Sequence, residues 1–126
     1  MKFGVHFGSR GVAGDPDTLK AIAQKAEELG YDHFGMSDHV VVATDVESAY
    51  PYSESGKFFA QDTGVSLEQV TALGFVAAAT DRIQLLTSVL VLPHRHPVLA
   101  AKMLSTVDVL SKGRLIAGVG VGWMAE

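Results

Sequence analysis

Four strand-like apolar runs separated by three helix-patterned segments constrain this chain more than any other feature. The runs are KFGVHFG (2–8), YDHFGMSDH (31–39), RIQLLTSVLVL (82–92) and RLIAGVGVG (114–122). Between them lie DPDTLKAIAQKAEELG (15–30), SLEQVTALGFVAAATD (66–81) and HPVLAAKMLSTVDVLSKG (96–113). Regular βα alternation implies a parallel sheet, because parallel neighbours need a long crossover and a helix supplies it. The third and fourth runs are apolar at nearly every position, as parallel strands covered on both faces are. Two architectures have this order. One is an open doubly wound sheet; the other is a stretch of (β/α)8 barrel, which takes about 250 residues when complete. With 126 residues, the chain would in the second case be half a barrel.

The helical segments carry their own punctuation. Asp15 suits the N-cap, Pro16 the first helical position and Gly30 the C-cap, while Leu19, Ile22, Ala23, Ala26 and Leu29 form a stripe at helical spacing. Ser66 and Gln69 have capping-box spacing at the head of the second helix. Pro97 opens the third and Gly113 follows its end. Residues 40–65 show little periodicity but hold Tyr50, Tyr52, Phe58 and Phe59. A loop of that length inside a compact domain suits a lid over a site, or packs a small cluster of its own.

Composition narrows the function. Net charge is −4 and the basic residues are dispersed, so no nucleic-acid surface is expected. Without cysteine there is no disulfide, thiolate metal site or cysteine nucleophile, which fits a cytoplasmic protein. No apolar run approaches membrane-spanning length, and the glycine-broken MKFGVHFGSRG is not expected to act as a signal peptide.

In both architectures chemistry gathers at the C-terminal ends of the strands. The residues there are SDH (37–39), the His94–Arg95–His96 cluster beyond Pro93, and GVGVGW (118–123). Asp38 and His39 could orient a proton carrier toward a pocket; equally, Asp38 could cap a loop and His39 sit on a solvated rim. A lone H-x-H lacks a third metal ligand, so phosphate contact or rim solvation suits it better. GVGVGW lacks the G-x-G-x-x-G spacing of a dinucleotide site. Its glycines admit a close neighbour, either a flat ring or a packed element. Trp123 could line a pocket or simply cover the barrel. Thr87 and Ser88 interrupt an apolar strand, and a buried hydroxyl needs a partner.

Taken together, MSDHVVV (36–42), LLTSVLVLPHRHPVLAAKMLSTVDVLSKGRLIAGVGVGW (85–123) and the βα order resemble the N-terminal part of the bacterial-luciferase-like monooxygenase superfamily, more closely its coenzyme F420-dependent oxidoreductase branch. The resemblance covers nearly the whole chain and is densest over 82–123. It implies an α/β fold, the N-terminal half of a (β/α)8 TIM barrel, with residues 1–126 one partial domain that stops before the fourth helix. It also implies a third-strand bulge with a non-prolyl cis peptide backing the flavin or deazaflavin ring. The matching bond is Ser88–Val89, and the bulge would turn a hydroxyl toward the ring edge. On the same basis Asp38 hydrogen-bonds the ring system, and His39 is the catalytic residue, donating or accepting a proton or stabilising charge as hydride passes. Thr87, Ser88, Val89 and Gly120 complete the cofactor-binding set.

Flavin-using luciferases tend toward Glu-His-His where this chain has SDH, so F420 is expected ahead of FMN. Sugar-phosphate dehydrogenases of the branch place an acidic glutamate after the fourth strand. Trp123 stands there in this chain, implying a flatter, more apolar small-molecule substrate. The resemblance also places the cofactor's phosphate-tail loops in a second half-barrel. The piece by itself is therefore expected to bind cofactor weakly and to self-associate, with Val89, Val91, Ile116 and Val119 meeting across the contact. Two rivals remain: an inactive, self-associating half-barrel, and an unrelated barrel lyase or isomerase with His39 as base.

Overall fold

A computed structural model describes residues 1–43, 45–58 and 64–125. The strands are β1 (Gly4–Phe7), β2 (His33–Met36), β3 (Gln84–Val91) and β4 (Leu115–Gly120). The helices between them are α1 (Pro16–Glu28), α2 (Gln69–Ala79) and α3 (Pro97–Leu110), with short 3₁₀ turns at Gly11–Gly14 and Leu92–His94. The four strands are parallel and lie in chain order, β1-β2-β3-β4. A doubly wound sheet reverses its strand order partway. Sequential order with one shared helical layer is instead the arrangement of half a (β/α)8 barrel.

Strand alternation divides the sheet into two faces. Val5, Phe34, Leu85 and Leu115 sit on one register line and pack with Leu19 and Ala23 of α1, Leu73 and Val76 of α2, and Val107 of α3. The opposite face carries His6, His33, Leu86, Ser88 and Ile116 around a concavity of about 340 Å³. The expectation of strands covered on both faces is thus met on one. Among the described residues, no helix lies over the other.

Helix ends follow local chemistry. Asp15 caps α1 by accepting from the Thr18 amide at 2.8 Å, and Gly30 leaves it at φ +83°. The expected capping box at α2 is absent. The N-cap is Glu68, which accepts from the Thr71 amide at 2.7 Å, while the Ser66 hydroxyl lies 3.3 Å from that of Ser9. Gln69 is drawn inward, its side-chain amide donating to the Met36 carbonyl at 2.6 Å. The box fails because both of its side chains hold the loop after β1 and the end of β2.

Glu27, near the end of α1, holds the start of β3. Its carboxylate accepts from the amides of Asp81 (3.1 Å), Arg82 (2.5 Å) and Ile83 (2.7 Å), and its carbonyl accepts from the Arg82 guanidinium. Burial raises this carboxyl, but the amides of Ile83, Arg82 and Asp81 together outweigh it and hold it below its ordinary value. With the folded value depressed, this contribution is present above the unfolded value and is lost as pH falls through the folded one. Glu27→Ala should destabilise the chain by about 2 kcal/mol at pH 7. The gap to wild type in urea unfolding should close as acid reaches that window.

Candidate functional site

A cleft of about 370 Å³ opens at the C-terminal ends of β2, β3 and β4, lined by Asp38, His39, Val91, His94, Val121 and Trp123 among others. Its polar corner follows from how β2 ends. Ser37 donates its amide to the Phe7 carbonyl at 3.3 Å, after which the chain turns and carries Asp38 inward. The Asp38 side chain is fully buried. Oδ2 accepts from Arg95 Nη1 at 2.6 Å and from the Val91 amide at 2.9 Å; Oδ1 accepts from Arg95 Nη2 at 2.9 Å. Arg95 Nη2 also donates to Glu68 Oε1 at 2.6 Å. A buried carboxylate is tolerable here because an equally buried guanidinium faces it with fork geometry.

His39 lies on the cleft wall, half-buried, its ring 5.2 Å from that of Phe58. Burial first, then the positive charge of Arg10, push its imidazole down to about 4, with Asp38 pulling the other way and His94 adding slightly to the fall. His39 is therefore a neutral imidazole at neutral pH, an acceptor at one nitrogen and a donor at the other. Because its folded value lies below its unfolded one, it costs stability progressively as pH drops below the ordinary histidine range.

The loop over this corner packs its rings together. Tyr50 lies 5.1 Å from Phe58 and 5.0 Å from Trp123, and Phe58 lies 5.4 Å from Trp123. The Arg10 guanidinium sits 4.9 Å from the Phe58 ring centre, and the Ala125 amide donates to the Ser48 hydroxyl at 3.1 Å. Trp123 thus lines the cleft and joins the loop's own cluster. Phe59 lies outside the described residues.

The third strand carries the irregularity that the family resemblance implied. The Ser88–Val89 peptide is cis, and the β3–β4 register breaks between Thr87 and Leu90. The hydroxyl of Thr87 does not turn toward the cleft. It is buried and donates to the Gly118 carbonyl at 2.7 Å, because the register break leaves that carbonyl without its ladder partner. Ser88 lines the concavity on the opposite sheet face, where its carbonyl accepts from His6 Nε2 at 3.2 Å. A Cβ at Gly118 would lie 2.5 Å from the Thr87 carbonyl oxygen, and one at Gly120 would lie 2.6 Å from Val89 Cγ2. The close neighbour these glycines admit is the bulged strand itself.

Asp38 and His39 are therefore brought together at the cleft. Val89 and Gly120 touch each other beneath its edge, Thr87 is locked into the sheet, and Ser88 faces the far side. The sequence reading missed Arg95 and Glu68. Arg95 stood between two histidines whose cluster was read as a site of phosphate contact or rim solvation, and among the described residues no group of three or more His, Cys, Asp or Glu is placed to hold a metal. The available signal was a cation directly after an apolar strand with no acidic neighbour in sequence.

The cleft suits a flat heterocycle. Its walls are mostly apolar, from Val40, Val41, Val91 and Val121, and its polar groups converge at one corner. Asp38 lies behind this surface, its side chain fully buried and held by Arg95 and the Val91 amide.

The sequence profile of the luciferase-like monooxygenase family matches residues 1–126. An F420-dependent glucose-6-phosphate dehydrogenase of Microbacterium testaceum is 32% identical over 108 residues, covering 85% of this chain and 27% of that protein. Two solved structures share the fold. The coenzyme F420 dependent tetrahydromethanopterin reductase of Methanopyrus kandleri superposes with TM-score 0.71 at 21% identity, covering 96% of this chain and 27% of its own. The oxygenating constituent of 3,6-diketocamphane monooxygenase from Pseudomonas putida, in complex with FMN, gives TM-score 0.70 at 21% identity, covering 97% and 30%. The chain spans about a quarter to two fifths of the length of the curated relatives it matches.

Proposed function

Because the chain belongs to the luciferase-like monooxygenase family, we propose that it forms the cofactor-facing part of an F420-dependent oxidoreductase acting on a small, flat, largely apolar organic molecule. The observation that carries this reading is a neutral imidazole at the one polar corner of an otherwise apolar cleft, beside the bulged third strand. When bound, the deazaflavin supplies hydride transfer to or from carbon. The chain's own residues do the rest. Val91 and Val121 offer an apolar wall for the ring system, and Asp38, buried behind it, fixes the Val91 amide and the chain that carries His39. Val89 and Gly120 hold the bulge in place beneath the rim. His39, neutral throughout the neutral range, offers the substrate a hydrogen-bond acceptor at one nitrogen and a donor at the other as charge moves. Trp123 and Phe58 exclude water from that corner.

Titration with F420 and with FMN, read by fluorescence, tests the proposal. Expected are weak, saturable binding by the chain with F420 the tighter ligand, and a loss of about 10-fold in affinity on His39→Ala. Indifference of the chain, and of any longer polypeptide containing it, to both compounds would sink it. An FMN-dependent monooxygenase is the second reading, supported by the FMN-bound structural relative; a preference for FMN in the same titration selects it.

The open sheet face supports a further expectation, that the chain self-associates. Ile116 lines the concavity on that face and Val89 is 45% exposed, whereas Val119, opposite Leu90 in register, lies on the helix-packed face and is 55% exposed there, so it does not join the expected contact. Sedimentation should show a dimer or larger species, and Ile116→Glu should shift it to monomer. A monomeric wild type at high micromolar concentration would refute this.

A further inference from the structure

We propose that Arg95 is the positioning residue of the cleft: its guanidinium gathers the end of β2, the start of α2 and the turn after β3 into one corner and cancels the charge of Asp38, so that His39 meets the cleft as an imidazole without a carboxylate partner. The consequence for catalysis rests on the oxidoreductase reading; the geometry does not.

Three contacts define the corner: Nη1 to Asp38 Oδ2 at 2.6 Å, Nη2 to Asp38 Oδ1 at 2.9 Å, and Nη2 to Glu68 Oε1 at 2.6 Å. The Arg95 side chain is 6% exposed. An ion pair this deep is no solvated rim contact, since removing either partner leaves a buried charge uncompensated. Through its two acidic partners the guanidinium reaches three elements. Asp38 Oδ2 also accepts from the Val91 amide at 2.9 Å, which holds the last residue of β3. Glu68 also caps α2 through the Thr71 amide. Asp38 itself fixes the backbone that presents His39.

Adjacency in sequence suggests an acid–imidazole pair at Asp38–His39. The structure gives the carboxylate to Arg95 and to the Val91 amide instead. Among the described residues, the charged and titratable groups around His39 are Arg10 from the loop after β1, Asp38 beside it and His94 from the turn after β3. Arg95 and Glu68 stand behind Asp38. Only Asp38 among the nearer groups favours the imidazolium, and Arg95 offsets it. A Lys at this position keeps the charge but not the fork; a Gln keeps part of the shape but not the charge.

The test is an NMR titration of the His39 ring carbon in the full chain, its signal assigned by its absence in His39→Gln. Arg95→Gln should raise the His39 midpoint by about one pH unit, and Arg95→Lys should leave it within about 0.3. The double variant Asp38→Asn/Arg95→Gln should return it to within about half a unit of wild type. A folded Arg95→Gln variant whose His39 titrates as wild type overturns the proposal. If Arg95→Gln fails to fold, the double variant decides: an unchanged midpoint supports the proposal. A fall of a full unit overturns it, because Asp38 would then have acted on the imidazole as an uncancelled charge. Failure of wild type to bind F420 or FMN defeats the oxidoreductase reading and leaves these titrations standing.

Discussion

Arg114→Met should destabilise the chain by on the order of 4 kcal/mol, enough to leave a domain of ordinary stability close to unfolding. Arg114 stands just ahead of β4, and its guanidinium is fully engaged. Nε donates to the Ser111 carbonyl at 2.7 Å. Nη1 donates to the Thr80 hydroxyl at 2.9 Å and the Ile83 carbonyl at 3.0 Å, and Nη2 to the carbonyls of Ala77 at 2.7 Å and Thr80 at 2.9 Å. Two of these acceptors lie at the C-terminal end of α2, where the last carbonyls lack helical partners and the helix dipole favours a cation. One side chain thus closes α2, the turn after α3 and the entry to β3. Methionine fills some of the volume and returns none of the donors. Arg114→Lys should recover less than half of the loss, because an ammonium cannot reach five acceptors arranged around a plane. Thermal and urea unfolding of the two variants check both statements. A loss under about 1 kcal/mol for Arg114→Met would show that water replaces these bonds freely.

Gly118→Ala is expected to be the most damaging of the small substitutions, at about 3 kcal/mol. The new methyl group would sit 2.5 Å from the Thr87 carbonyl oxygen, a backbone atom that cannot rotate aside. The β3–β4 pair must part there, and the Thr87-to-Gly118 hydrogen bond that spans the register break goes with it. Gly120→Ala makes an instructive contrast. Its clash is with Val89 Cγ2 at 2.6 Å, a side-chain atom, so Val89→Ala should restore most of what Gly120→Ala removes. No second substitution of that kind is available for Gly118→Ala. Unfolding measurements on the four variants form the test, and a Gly118→Ala protein as stable as wild type would mean that the strands are not held this closely.

Much of this fold was legible in the residues. The parallel order and the first helix with its Asp15 cap and Gly30 exit follow from local signals, alternation and capping chemistry, while the break in β3 between Thr87 and Leu90 was implied only by the family resemblance. The second helix shows the limit. Ser66 and Gln69 had the right spacing for a capping box, yet both were claimed by partners distant in sequence, Ser9 and the Met36 carbonyl. A local motif is outcompeted when burial offers its side chains better hydrogen bonds.

The candidate site divides the same way. Asp38 and His39 could be found because short chemical groups at a strand end are conspicuous in any βα alternation. Their roles could not be assigned from the sequence. Asp38 and Arg95 lie 57 residues apart, and nothing in either segment announces the other. The dryness that lowers the His39 proton affinity comes from Phe58 and its neighbours, which reach the site only when the loop folds back.

Periodicity, capping residues and strand-ending prolines determined by themselves which segments are strands and helices and that the sheet is parallel, because those signals act over a few residues and need no partner. Tertiary structure alone decided which face is covered, which charge meets which, and that the glycines of β4 stand against a bulged neighbour. These are contacts between residues far apart in the chain, and hydrogen bonding, ion pairing and packing settle them only once the strands lie side by side.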